Sequence, residues 1–181
     1  MMDLRTRNEL LAVLPRLRRF ARGLTGSSHD ADDLVQIACE RAIRNIGQWN
    51  PTTRMDSWLY RIVQTAWIDS RRANKVRADY AAAVTATATE EHGGEDQTVA
   101  ALTVGAVDAA LQQLPEEQRN VLLLVCVEQL SYAQAAEVLR IPVGTVMSRL
   151  ARGRLALRRL VDGPNADAEP DPLPQAKERS A

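Results

Sequence analysis

The stretch "IPVGTVMSRLARGR", Ile141 to Arg154, sets Arg149, Arg152 and Arg154 behind a proline, a glycine and a threonine. A guanidinium can make two parallel hydrogen bonds to guanine or to a phosphate, a chemistry of recognition rather than of bond making. Wound as a helix behind Thr145, the stretch puts Thr145, Ser148, Arg149, Arg152, Ala156 and Arg159 opposite Val146 and Leu150. Thr145, at the helix start, is placed to meet a phosphate. Arginines also solvate ordinary exposed faces, so the stripe alone leaves both readings open. The residues upstream favour recognition. Ser131 with Gln134 spells a capping box, and Tyr132, Ala136 and Leu139 form the inward stripe of a short helix ended by "RIPVG". A short capped helix, a tight turn and a second helix with a basic outer face make a helix-turn-helix, whose second helix enters the major groove.

A second basic track lies earlier. Ser57, Arg61, Gln64, Arg71, Arg72 and Lys75 share one face of a helix predicted from Ser57 to about Lys75, capped by Asp56, with Leu59, Ile62, Val63 and Ala66 inward. Such a face suits phosphates. All three tryptophans fall between Trp49 and Trp67, and Trp58 and Trp67 flank the buried stripe, so both are expected half-buried. Packing and base contact remain open for each. The sequence holds no nucleophile, base and orienter trio, no Gly-rich phosphate loop and no metal-ligand spacing, and His29 and His92 lie in loop-like contexts. Neither an enzyme nor a cofactor is expected, and Asp30, Asp32 and Asp33 lack companions for a metal site.

The elements that position these residues are helical. With 45% hydrophobic residues but only 4% aromatic, the 181-residue chain suits small bundles with Leu, Val, Ile and Ala cores. Leu10, Leu14, Leu17, Ala21 and Leu24 mark a first helix stopping at Gly26. A second comes after "SSHDADD", with Ser28 or Asp30 as cap and Val35, Cys39, Ala42 and Ile46 inward. Cys39 and Cys126 are expected to be reduced core residues. Val107, Leu111 and Leu114 mark a later helix, and Pro115, Glu116 and Glu117 open the next.

Net charge is zero, but it is unevenly spread. Residues 1–78 carry fourteen Lys or Arg against eight acids; residues 79–105 carry five acids and neither Lys nor Arg. The predicted fold is therefore all-α, with a three-helix domain over 1–78, a flexible acidic linker over 79–105, a helix-turn-helix domain over 106–162 and a disordered tail over 163–181. A coil of that length spans on the order of 25 to 30 Å, enough for the domains to dock well apart. No stretch approaches the roughly 18 apolar residues of a membrane span, so a cytoplasmic protein without membrane insertion is expected.

The motifs resemble those of the extracytoplasmic-function group of bacterial RNA polymerase sigma factors. "LPEEQRNVLLLVCVEQLSYAQAAEVLRIPVGTVMSRLARGRLALRRL" looks like their C-terminal promoter-binding domain, and "LRRFARGLTGSSHDADDLVQIACERAI" and "MDSWLYRIVQTAWIDSRRAN" resemble their N-terminal domain. The resemblance implies that Asp32, Asp33, Leu34, Gln36 and Glu40 face the beta-prime clamp of the polymerase core, although acids at a helix start also serve its dipole. It implies that "WNPTTRM", Trp49 to Met55, captures an unstacked base. Trp49, Asn50, Arg54, Trp58, Arg61, Gln64, Arg71, Arg72 and Lys75 would then serve the −10 element, and Thr145, Ser148, Arg149, Arg152 and Arg159 the −35 element. An anti-sigma factor is a further implied partner. Ile37, Met147 and Arg140 stand where the family commonly has an acid, a Lys or Arg, and a Gly. The alternative is a stand-alone helix-turn-helix regulator.

Overall fold

A computed structural model describes residues 3–84 and 99–162, with side chains placed for 3–78 and 105–161. Among the described residues the chain forms seven α-helices and no strand. Asp3 starts α1 (Leu4–Thr25) by accepting a hydrogen bond from the Thr6 N–H at 2.7 Å. The helix ends with the apolar stripe, where Gly26 adopts φ 75° and donates its N–H to the Arg22 carbonyl. A Cβ there would also meet the Gln112 side chain at 2.9 Å, so both backbone and packing require glycine.

Helix α2 (Ser28–Arg44) is capped by Ser27, whose hydroxyl accepts from the Asp30 N–H at 3.3 Å. The two expected caps, Ser28 and Asp30, lie inside the first turn, because extended backbone gives way to helix directly after Ser27. A single 3₁₀ turn, Ile46–Gln48, comes next. Helix α3 (Met55–Val84) starts before its predicted position. Asp56 is thus a buried first-turn residue rather than a cap, accepting from the Ser57 N–H at 2.7 Å and pairing with Arg54 and Arg16.

Both α3 and α4 (Val99–Gln113) reach into the segment expected to be linker. Alanines at 81–83 and 100–101 explain this, since alanine is the strongest helix former. The centre of that linker, residues 85–98, lies outside the described residues, as do His92 and the tail from residue 163.

Pro115 and two glutamates open α5 (Glu116–Leu122), as expected. The helix passes into a π-helical turn, Leu123–Val127, closed by the Glu128 N–H on the Leu123 carbonyl at 2.9 Å. The wider turn shifts the helical register at its C-terminal end: Glu128 points inward, and Cys126 is exposed instead of joining the core, with its sulfur 3.5 Å from Arg154. Cys39 is half-buried, and burial raises its thiol pKa. Helix α6 (Tyr132–Leu139) begins with the capping box of Ser131 and Gln134, both bonds being present. Helix α7 (Val143–Asp162) completes the fold.

Helices α1 to α3 form one unit and α4 to α7 the other, but they do not stand apart. Leu17, Phe20 and Leu24 of α1, Leu59, Tyr60 and Val63 of α3, Leu123 and Leu124 of the π turn, and Val146 and Leu150 of α7 belong to one connected core. Burial of side chains this size contributes about 1.5–3 kcal/mol each. Phe20 meets Tyr60 edge-on with centroids 5.2 Å apart. A Cβ on Gly23 would lie 2.4 Å from a Leu123 methyl, so glycine is what lets α1 approach the second unit so closely.

Candidate nucleic-acid interface

The turn before α7 is built from two unusual positions. Arg140 ends α6 in the left-handed region at φ 55°, ψ 46°, the conformation a glycine adopts without strain. The Pro142 carbonyl then accepts from the N–H groups of Thr145 at 2.9 Å and Val146 at 3.2 Å, which starts the helix two residues earlier than expected. Thr145 is consequently half-buried within the first turn instead of standing at its entrance.

Val146 and Leu150 are buried, and Gly153 lies against Leu122, where a Cβ would come within 3.0 Å of a methyl. The opposite side of α7 exposes Met147, Ser148, Ala151, Arg152, Leu155 and Arg159. Ser148, Arg152 and Arg159 therefore stand where expected. The Arg152 Nε donates to the Ser148 carbonyl at 3.3 Å, which orients its guanidinium along the helix. Arg149 sits at the edge of this face, 21% exposed, with its Nη2 2.6 Å from a Glu117 carboxylate oxygen. Met147, which stands where the family commonly has a Lys or Arg, is 46% exposed at one edge of the face. Ala151 and Leu155, at i+4 and i+8, continue that exposed edge toward the middle of the face.

The loop before α3 is pre-shaped. Asn50 accepts from the Thr52 N–H at 3.0 Å and the Thr52 hydroxyl at 2.9 Å, while the Thr53 hydroxyl donates to the Asn50 carbonyl at 2.8 Å. Arg54 is held by Asp56 through two bonds. Burial alone would raise the Asp56 carboxyl, but Arg54, the Ser57 N–H and Arg16 bring it below the ordinary range. Trp49, Trp58 and Trp67 are all half-buried. Trp67 donates its indole N–H to Glu116 at 2.9 Å, and the Arg71 guanidinium lies 5.5 Å from its ring centroid.

Along α3 the basic track divides. Arg71, Arg72 and Lys75 are exposed, whereas Arg61 donates to the Glu137 carbonyl of α6 at 2.8 Å and Gln64 is 6% exposed. A cavity of about 300 Å³ between the units is lined by Gln64, Ile68, Glu116, Asn120, Leu139 and Arg149. Residues from both expected DNA-reading sets thus meet in one seam.

On α2, Asp32, Asp33, Gln36 and Glu40 are exposed on one surface beside Ile37. Asp32 pairs with Arg18 at 3.3 Å and Glu40 with Arg44 at 3.1 Å. Leu34 differs from the expectation: it is 4% exposed and lies in the core, because its i, i+4 partner Ala38 defines the inward stripe. Among the described residues no group of three or more His, Cys, Asp or Glu is arranged to hold a metal ion.

A helix-turn-helix in one half, with an aromatic and basic helix behind a shaped loop in the other, defines a two-part DNA-binding protein. Family models for sigma-70 region 2 and sigma-70 region 4 match residues 10–77 and 105–157. The chain is 35% identical to the ECF RNA polymerase sigma factor EcfG of Rhodopseudomonas palustris, over 87% of this chain and 86% of that one. It is 38% identical to SigM of Mycobacterium tuberculosis, over 80% and 71% of the respective chains. The fold matches that of the sigma factor RpoE of Bartonella quintana in its complex with the anti-sigma factor NepR, with TM-score 0.73, 26% identity and coverage of 86% of this chain and 96% of that one. The chain belongs to the extracytoplasmic-function RNA polymerase sigma factors. The region 2 match decides against a stand-alone helix-turn-helix regulator. Among the described residues no helix is long and apolar enough to cross a membrane.

Proposed function

We propose that this sigma factor works as two address readers on one chain, bounded near residues 1–78 and 106–162, in the cytoplasm and without covalent chemistry of its own. The α7 face of Ser148, Arg152 and Arg159, with Thr145 and Arg149 at its edge, serves the −35 element. Trp49, Asn50, Arg54, Trp58, Arg61, Gln64, Arg71, Arg72 and Lys75 serve the −10 element. Extruding a base costs a few kcal/mol, which stacking and a pre-shaped loop offset. Asp32, Asp33, Gln36 and Glu40 meet the beta-prime clamp of core polymerase, and Leu34 supports that helix from beneath. An anti-sigma factor is a partner, as NepR is for the similar RpoE.

The observation that carries this reading is the division of α7, with Val146 and Leu150 buried and Ser148 and Arg152 turned outward. That is the placement a recognition helix needs in the major groove. In vitro transcription from a panel of promoters with core polymerase, with and without the chain, tests it. Promoter-specific transcripts are expected only with the chain present. Arg152→Ala should weaken −35 selection while polymerase binding persists; unchanged promoter choice would remove the assigned role.

A further inference from the structure

Glu128 is a fully buried carboxylate whose side-chain partners all come from the other unit. Arg19 donates to it through Nε at 2.8 Å and Nη2 at 3.1 Å, and Arg16 through Nε at 3.3 Å. The Tyr60 hydroxyl donates to the same carboxylate, and Arg16 Nη2 also donates to the Glu128 main-chain carbonyl at 2.8 Å. Arg16 continues to Asp56, so one network joins α1, α3 and the end of the π turn. Burying a carboxylate is costly without such donors. If the units separate, Glu128 must exchange all of them for water at once, which favours two discrete states over gradual loosening.

The seam beside this network covers residues to which promoter contact has been assigned. Arg61 is occupied by the Glu137 carbonyl, Gln64 is buried against the second unit, and Arg149 lines the cavity between the units opposite Gln64 and Ile68. The closure is also imperfect. Arg61 Nε, Gln64 Oε1, Arg119 Nε and Asn120 Oδ1 are buried without partners. Burial lowers the Arg119 pKa against the opposing charge of Glu116, and Arg71 adds a smaller push in the same direction as burial. Each such group costs free energy that opening would return. The structure thus sets a strong ionic cluster against a reluctant polar margin.

We infer that Glu128 is an intramolecular latch, holding the two units closed over Arg61, Gln64 and Arg149 through Arg16, Arg19 and Tyr60, and that it must release before the chain reads a promoter. This rests on the assignment of those three residues to DNA.

The test uses the full chain and three variants. Glu128→Gln removes the charge, Tyr60→Phe removes only the hydroxyl donor, and Gly23→Ala crowds Leu123 across the seam without touching the ionic cluster. Small-angle X-ray scattering reads compaction, circular dichroism reads helix content, and fluorescence anisotropy reads binding of a single-stranded −10 oligonucleotide without core polymerase. The native chain should be compact and bind the oligonucleotide weakly. Tyr60→Phe should raise the open population about tenfold and Glu128→Gln more, with helix content retained and oligonucleotide binding rising in parallel. Should Glu128→Gln lose helix, Tyr60→Phe and Gly23→Ala decide. An extended native chain, or variants with native compaction and affinity, would overturn the latch. Variants that open without any gain in oligonucleotide binding would leave Glu128 a fastener but refute its control of DNA reading. Promoter-specific transcription by the native chain with core polymerase reports separately on the sigma-factor reading.

Discussion

Arg149 lies 2.6 Å from Glu117, so an arginine on the edge of the outer face of α7 is neutralised by the helix that supports it. Glu117 is largely exposed, and pairs of this kind contribute about 0–1 kcal/mol. Glu117→Gln should therefore tighten −35 binding by no more than about fivefold, measured by anisotropy on holoenzyme. A larger gain would mean that Glu117 repels DNA directly.

Arg152 faces outward and can pair with guanine. Its replacement by alanine should cost about 1–3 kcal/mol and relax preference at one base pair of the −35 element. A library of −35 variants read by transcription checks this, since uniform loss across all sequences would indicate a phosphate contact instead.

Met147 is an uncharged, exposed residue at the edge of the same face. Met147→Lys should add a phosphate contact, strengthening binding to all sequences and steepening the salt dependence by about one unit of log–log slope. An unchanged slope would place residue 147 away from the backbone.

Arg140 occupies a left-handed position at φ 55°. The conformation costs a non-glycine residue about 1–2 kcal/mol, part of which glycine gives back through the greater freedom of its unfolded chain. Arg140→Gly should therefore stabilise the protein by up to about 1 kcal/mol, a rise of roughly 2–4 °C in Tm. Calorimetry would expose an error as a fall in Tm.

Burial, and then the Glu128 carboxylate, raise the Tyr60 phenol above its ordinary value of 10.0. The unfolded chain thus loses this proton first as pH rises. The stability is fully present below about pH 10 and is lost above it, with a limiting slope near 1.4 kcal/mol per pH unit. Urea melts in alkaline buffers should show this one-proton dependence, and Tyr60→Phe should abolish it. Asp56, held below its ordinary 3.8, works in the opposite direction, so its contribution is present at neutral pH and disappears as pH falls below about 4.

Much of this protein was legible in local residue patterns. The stop at Gly26, the capping box of Ser131 and Gln134, and the inward Val146 and Leu150 depend on backbone geometry and helical spacing, which neighbouring residues determine. The all-α class and the outward placement of Ser148, Arg152 and Arg159 arise from the same periodicity. Only the tertiary structure decided the relationships between residues distant in the chain. Nothing near Glu128 in the chain marks it as buried: the π turn rotates it inward, and Arg16, Arg19 and Tyr60, more than sixty positions away, supply its donors. Gln64 and Arg149 read as exposed for a similar reason, since helical projection says which side of one helix a residue occupies but not what another helix lays over it. Leu34 and Cys126 depart from expectation in opposite directions: the regular spacing of Leu34 with Ala38 puts it in the core, whereas the π turn carries Cys126 out to solvent.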